Sequence, residues 1–324
     1  MAGLVAVARA REVGAEVRLL EKSDRPGGSM LLSSGVVWRY RDFEKFRRQC
    51  PGGDPELQRL VWERLDDALD WLERLGAPVV ARDTDRSFTT GRRFDPRGLT
   101  DVLVRAAGEI AYGASNSLLL GGGPLVVATG GYSVRLARER GLLVRSNRWS
   151  EGDGIDLVLA RGGEAVPSEE FYGRAMPGPV PEELFVSASQ LYGRFARPVN
   201  DLGEEFFPHE PSWSENDLAQ AIARQPGGRA WYELDAAALA RPDVAERLPY
   251  VQETEPLPGG GLRVRVYAAV THTYGGVKVD TRARAADGIW VAGVDAGGFS
   301  NGGYASGLAQ ALVLGLVAAE DAAQ

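Results

Sequence analysis

The chain has 324 residues, 44% of them hydrophobic and 25% charged, with a formal net charge of −7. That size and composition predict an ordinary globular protein that buries a large core in one or two domains. The acidic balance and the lack of any Lys/Arg-rich block exclude nucleic acid as a general partner, and the single Cys50 excludes an internal disulfide framework and suits a reducing, cytoplasmic setting.

Met1-Ala2-Gly3 runs into a small-residue helix over residues 4–13, which Gly14 stops. Residues 16–22 then read as a strand that ends in an acid, Glu21. This order matches the second half of a G-x-G-x-x-G dinucleotide fingerprint. Gly3 takes the place of the third glycine, which lets helix and strand approach closely, and Glu21 lies near the spacing of the acid that binds a ribose hydroxyl. The first strand and the first two glycines of such a fingerprint would precede Met1. Arg9, Arg11, Glu12, Glu16 and Arg18 are too polar a set for a secretory signal.

A turn-rich loop, Ser23-Asp24-Arg25-Pro26-Gly27-Gly28-Ser29, comes next, followed by Ser33-Ser34-Gly35 and the apolar Val36-Val37-Trp38. Residues 54–75 carry apolar side chains at spacings of three and four, with Asp54 as a cap, Pro55 in the first turn and Gly76 as a stop. A second helix is expected over residues 95–107. Tyr112-Gly113-Ala114-Ser115-Asn116-Ser117 and Gly121-Gly122-Gly123 read as loop. Leu125-Val126-Val127-Ala128 reads as a short strand ending at Thr129-Gly130-Gly131, and Gly152-Asp153-Gly154 precedes a helix over residues 155–161. Residues 171–262 are richer in Pro and aromatics and lack βα alternation, which predicts an inserted second domain. Residues 264–270 read as a strand returning to the first domain, 289–292 as a final strand and 304–320 as a final, buried helix. No apolar run is long enough to span a bilayer.

Four glycine-bearing segments recur in order: Gly27-Gly28-Ser29, Ala128-Thr129-Gly130-Gly131, His272-Thr273-Tyr274-Gly275-Gly276, and Gly293 with Gly297-Gly298. Together with Gly3 and Glu21 they resemble the fumarate reductase/succinate dehydrogenase-like flavoproteins, a group that includes the 3-ketosteroid dehydrogenases. The resemblance covers most of the chain and implies an α/β fold. Residues 1–170 and 264–324 would form a Rossmann-like FAD-binding domain whose first strand is missing, and residues 171–263 an inserted α+β capping domain. It implies FAD as cofactor. Gly3 would face the pyrophosphate. Glu21, with Lys22 beside it, would meet the adenosine ribose. Gly27, Gly28 and Ser29 would meet the phosphates, and Ser34 and Gly35 would run beside the flavin. Thr129, Gly130, Gly293 and Asp295 would lie near the cofactor, and Gly275 and Gly276 would pass close to the ring. Gly307 and Leu308 would open the last helix toward the flavin. His272, Tyr274 and Tyr304 are the candidates for substrate contact and proton transfer, and Tyr192 is a weaker one.

The departures from that family narrow the substrate. Gly297-Gly298-Phe299-Ser300-Asn301-Gly302-Gly303-Tyr304 holds no arginine, Val294 stands where relatives often carry Glu, and Gly203-Glu204-Glu205-Phe206 lacks the usual Arg. A C4-dicarboxylate needs paired cations, so a less charged carbonyl or enone compound is expected, with an electron acceptor that the sequence leaves unidentified. Gly298-Phe299-Ser300-Asn301-Gly302 also matches G-x-S-x-G, but no histidine follows Ser300 as a hydrolase triad requires. Two distant histidines and one cysteine give no metal-ligand spacing. The stretches 107–125 and 248–264 look short for the family. Without its first strand, the sheet would leave the neighbouring strands apart, or the strand at 125–128 would slide over to pair with that at 16–21. The alternative to an active enzyme is a shortened, non-catalytic relative with weak or no FAD binding.

Overall fold

The computed structural model describes residues 1–114, 123–189 and 191–324, so the loop residues Ser115, Asn116, Ser117, Gly121 and Gly122 lie outside the described residues. The chain divides into two compact units. One comprises Met1–Tyr132, Asn147–Glu170 and His272–Gln324, and the other Ser133–Ser146 and Phe171–Thr271.

In the first unit the opening helix, Ala2–Glu12, is built from small residues that let it lie close to the closing helix, Gly307–Ala322. The contact needs a glycine: a Cβ at Gly315 would stand 2.8 Å from the Ala2 carbonyl oxygen. Ala6, Ala10 and Ala319 form the seam, with Val17 and Val126 packed against it. The expected strand over 16–22 is only Leu19–Leu20, paired in parallel with Ile110–Ala111. Strand Leu125–Val127 pairs in parallel with Ile289–Val291, whose other edge carries Arg284–Ala286.

The strand at 125 therefore does not slide over to the strand at 19. Its partner, Ile289–Val291, is buried along its whole length, and a fully apolar strand gains most from pairing where both faces are covered. The two parallel pairs remain separate sheets.

The helices follow their local signals. Asp54 Oδ1 accepts from Glu56 N at 2.9 Å and Leu57 N at 3.0 Å and caps the helix Pro55–Arg74, which buries Leu57, Val61, Leu65, Ala68, Leu69 and Leu72. Asp95 caps Pro96–Ala107 through Gly98 N at 2.6 Å. Strands Val36–Tyr40, Thr89–Phe94 and Val79–Ala81 form an antiparallel sheet with Thr89–Phe94 in the middle. The last helix starts at Gly307 rather than at residue 304, because the Ser306 hydroxyl caps it through Ala309 N at 3.2 Å.

The second unit is built on one long strand, Gly261–Thr273. It pairs antiparallel with Arg229–Leu234 and Thr254–Leu257, in parallel with Leu143–Val144, and also with Phe171–Met176. The strand expected to return to the first unit at residue 264 stays in this sheet as far as Thr271. Val264, Val266, Ala268, Ala269 and Val270 are all fully buried, and four strands pair with this one. Among the described residues no helix is long and apolar enough to cross a membrane.

Candidate active site

Gly3 lies in the first turn of the opening helix, where a Cβ would stand 3.6 Å from Ala128 Cβ, at the end of strand Leu125–Val127. Glu21 follows strand Leu19–Leu20 directly, and its Oε1 accepts from Ser23 N at 2.9 Å. Lys22 Nζ pairs with Asp153 at 2.5 Å and lies 5.9 Å from the Trp149 ring centroid. Gly28–Met30 is a single 3-10 turn preceded by Gly27, and the Ser29 hydroxyl accepts from Asn147 N at 3.0 Å. A side chain at Gly28 would meet only Asn147 Nδ2, at 3.6 Å, so this backbone turn has open space above it.

Ser34 is exposed and Gly35 buried. Gly35 has φ +71° and a Cβ there would lie 2.0 Å from the Phe94 carbonyl oxygen, so only glycine fits. The wholly buried Asp295 binds the turn after strand Leu125–Val127. It accepts from Thr129 N, from Thr129 Oγ1 at 3.1 Å, from Gly130 N at 3.2 Å and from Gly131 N at 2.7 Å. Burial pushes the Asp295 carboxyl above its ordinary value and these donors pull it back, burial being the larger effect. Gly276 backs onto the same residue, since its Cβ would lie 2.3 Å from the Asp295 carbonyl oxygen. Gly275 faces the Tyr132 hydroxyl at 2.5 Å, and Gly293 faces Ala2 Cβ at 3.1 Å, each measured from the Cβ that glycine lacks.

The His272 ring lies against Gly307, the first residue of the closing helix, with Leu308 next to it. The ring centroids of His272 and Tyr274 are 5.8 Å apart, and the Tyr274 hydroxyl donates to the Gly303 carbonyl at 2.5 Å. Tyr304 packs its ring 5.4 Å from that of Trp38, and its carbonyl accepts from the Tyr40 hydroxyl at 2.8 Å. The structure thus brings His272, Tyr274 and Gly307 together, and gathers Thr129, Gly130, Gly276 and Asp295 into a second group. Tyr192, in the second unit, has a left-handed backbone with φ +53°.

Two further residues escaped the sequence reading. The hydroxyls of Ser150 and Thr273 are buried without a hydrogen-bond partner, and they flank Gly130 and Gly131 at 3.4 and 3.0 Å from the positions of their missing Cβ atoms. Orphaned buried hydroxyls are unfavourable unless something polar reaches them. Thr273 sits between two candidate residues in sequence, which was the available signal. Ser150 gave none beyond preceding Gly152-Asp153-Gly154 by two positions.

No family model matches the chain. A curated protein described as a probable fumarate reductase, Ifc3, from Shewanella frigidimarina (strain NCIMB 400), is 23% identical over 438 residues, covering 100% of this chain and 73% of that protein. This chain is a relative of the fumarate reductase flavoproteins. The alignment is longer than the chain's 324 residues, so stretches of the relative have no counterpart here. Solved structures share the fold. An open conformation of a flavocytochrome c3 fumarate reductase matches with a TM-score of 0.73 at 20% identity, over 99% of this chain and 76% of that one. A 3-ketosteroid-Δ4-(5α)-dehydrogenase from Rhodococcus jostii RHA1, in complex with 4-androstene-3,17-dione, gives 0.72 at 16% identity, over 100% of this chain and 95% of that one. A 3-ketosteroid Δ1-dehydrogenase from Sterolibacterium denitrificans gives 0.71 at 13% identity, over 99% and 97%. These relatives are oxidoreductases by name.

Proposed function

We propose that the chain is an FAD-dependent oxidoreductase that moves a hydride between flavin N5 and a carbon next to a carbonyl, by dehydrogenation or by enone or enoate reduction. The observation that carries this reading is the grouping of His272, Tyr274 and the N-terminus of the closing helix in a chain related along its whole length to a probable fumarate reductase. The residues present fit the cofactor. Two buried hydroxyls lack partners beside Gly130 and Gly131, and the turn at Gly28 is open. When bound, FAD supplies the hydride chemistry, which side chains alone do not offer.

The chain's own residues bind and orient. Glu21 would offer its carboxylate to a ribose hydroxyl, and the Gly27–Gly28–Ser29 backbone its N–H groups to phosphate. Ser150 and Thr273 would offer hydroxyls to the polar middle of the cofactor. Gly307 and Leu308 would present the positive end of the helix dipole to charge developing on the ring. His272 and Tyr274 would hold and move the proton at the substrate carbon or its carbonyl oxygen, with Tyr304 as a further candidate. In this reading the two parallel strand pairs belong to a Rossmann-like domain, and the second unit is the inserted α+β capping domain. The arginine-free segment 297–304 favours a neutral carbonyl or enone substrate over a C4-dicarboxylate.

The test is the visible absorption of the purified chain after incubation with FAD and desalting, followed by anaerobic reduction of the retained flavin with one equivalent of dithionite and mixing with a steroid enone or with fumarate. Retained flavin whose reduced form is reoxidised by the enone, and not by fumarate, supports the reading. A folded chain that retains no flavin overturns it in favour of a non-catalytic relative.

A further inference from the structure

Burying a carboxylate is unfavourable unless donors surround it, and the donors around Asp295 come from one place. Gly130 and Gly131, at φ +92° and +78°, turn their N–H groups and that of Thr129 onto its two oxygens. Successive N–H groups converging in this way form an anion-binding nest, and here the chain fills the nest with its own side chain. The Asp295 carbonyl meanwhile backs the 275–276 segment through Gly276. One residue therefore ties together two of the glycine segments that the sequence assigned to the cofactor. Both of its oxygens are committed to those donors, so neither points at a ligand, and a nest that already holds an anion repels a second one.

We infer that Asp295 is a positioning residue that fixes the Thr129–Gly131 turn, sets the unpartnered hydroxyls of Ser150 and Thr273 against the cofactor, and excludes phosphate from this nest. The inference rests on the FAD reading above. It replaces direct contact of FAD with the Thr129 and Gly130 N–H groups and with the Asp295 carboxylate, and leaves the phosphates to the Gly27–Ser29 turn.

The experiment compares the full-length chain with Asp295→Asn, Asp295→Ala and Thr129→Val. Amide hydrogen exchange of the peptide spanning residues 129–132 is followed by mass spectrometry, and FAD affinity by fluorescence titration. Asn keeps the shape of Asp but turns an amide N–H toward donors. Asn and Ala should therefore both speed exchange at 129–131 and weaken FAD binding, each by about tenfold or more, with exchange in the closing helix unchanged. Thr129→Val loses only the hydroxyl donor and should shift both readouts less, in the same direction, even where the Asp295 variants fold poorly. If Asn behaves as the wild type, the residue is packing alone and the inference falls. Faster exchange with undiminished FAD affinity also overturns it. A wild-type chain that takes up no FAD overturns the proposed function, and with it the cofactor role of Asp295, whatever the exchange shows.

Discussion

His272 lays its ring against the bare α-carbon of Gly307: a Cβ built there would stand 3.1 Å from Cε1 and 3.4 Å from both ring nitrogens. The histidine is thus held at the first residue of a sixteen-residue helix, where unpaired N–H groups concentrate positive potential. Gly307→Ala forces the ring to move by a few tenths of an ångström, while alanine is the better helix former. Stability is expected to stay within about 0.5 kcal/mol of the wild type. Flavin-linked turnover should fall about tenfold, as small displacements of a reacting group do. Thermal unfolding and flavin bleaching, measured on the same preparation, check both halves.

Gly35 is a second position where only glycine fits, for a different reason. Its φ of +71° places it in the left-handed region, and its carbonyl accepts from Phe94 N at 3.0 Å in the same tight approach that leaves 2.0 Å between a Cβ and the Phe94 oxygen. Gly35→Ala adds backbone strain to a clash with backbone that cannot rotate away. A loss of about 3 kcal/mol or more is expected, read as a lower denaturant midpoint with little change in slope.

Asp295 gives stability a pH dependence opposite in sign to that of Asp201 and Asp321. Burial raises its carboxyl above the ordinary value, so the native state binds the proton more tightly than the unfolded chain. Between the ordinary and the raised value the native state carries more protons, and stability falls as pH rises through that window. Asp201 is held low by Arg265 and Arg229, and Asp321 by the Trp290 indole N–H with Arg282 and Arg284; both work the other way, losing their contribution as pH falls. The two trends overlap in the wild type. Subtracting the stability profile of Asp295→Asn isolates the first: the difference should decline with rising pH across the window, and a flat or rising difference contradicts it.

Both capped helices, Pro55–Arg74 and Pro96–Ala107, were legible in sequence because their signals are local. An Asp cap, a Pro in the first turn and a glycine after the end all act within a few residues. Strand partners were not legible. Leu125–Val127 finds its mate more than 160 residues away at Ile289–Val291, and short apolar strands carry no mark of which edge they will meet. The same blindness moved residues 264–270 into the second unit, since a fully buried strand reads alike in any sheet. At the site, His272 and Tyr274 were both legible as candidates, and their proximity follows from being two positions apart along the chain. Asp295, Thr129 and Gly130 were all named, but the bonds that join them were not legible, and the orphaned hydroxyls of Ser150 and Thr273 became visible only as unmet hydrogen bonds.

Cys50 offers a probe of the loop that precedes the closing helix. Its side chain is fully buried, and burial pushes the thiol up to about 12. Gly303 crosses directly over it: a Cβ there would lie 3.2 Å from Sγ and 1.7 Å from the Gln49 carbonyl oxygen. The thiolate is the reactive form, so native protein should react with a thiol reagent at pH 7 roughly three orders of magnitude more slowly than unfolded chain, whose thiol titrates near 8.5. Gly303→Ala cannot keep this crossing and must lift the 300–304 loop from Gln49, exposing Cys50 and removing the acceptor of the Tyr274 hydroxyl. Labelling of that variant should approach the unfolded rate while the circular dichroism of the helices stays native, and slow labelling in the variant would show that the loop does not close over Cys50 in this way.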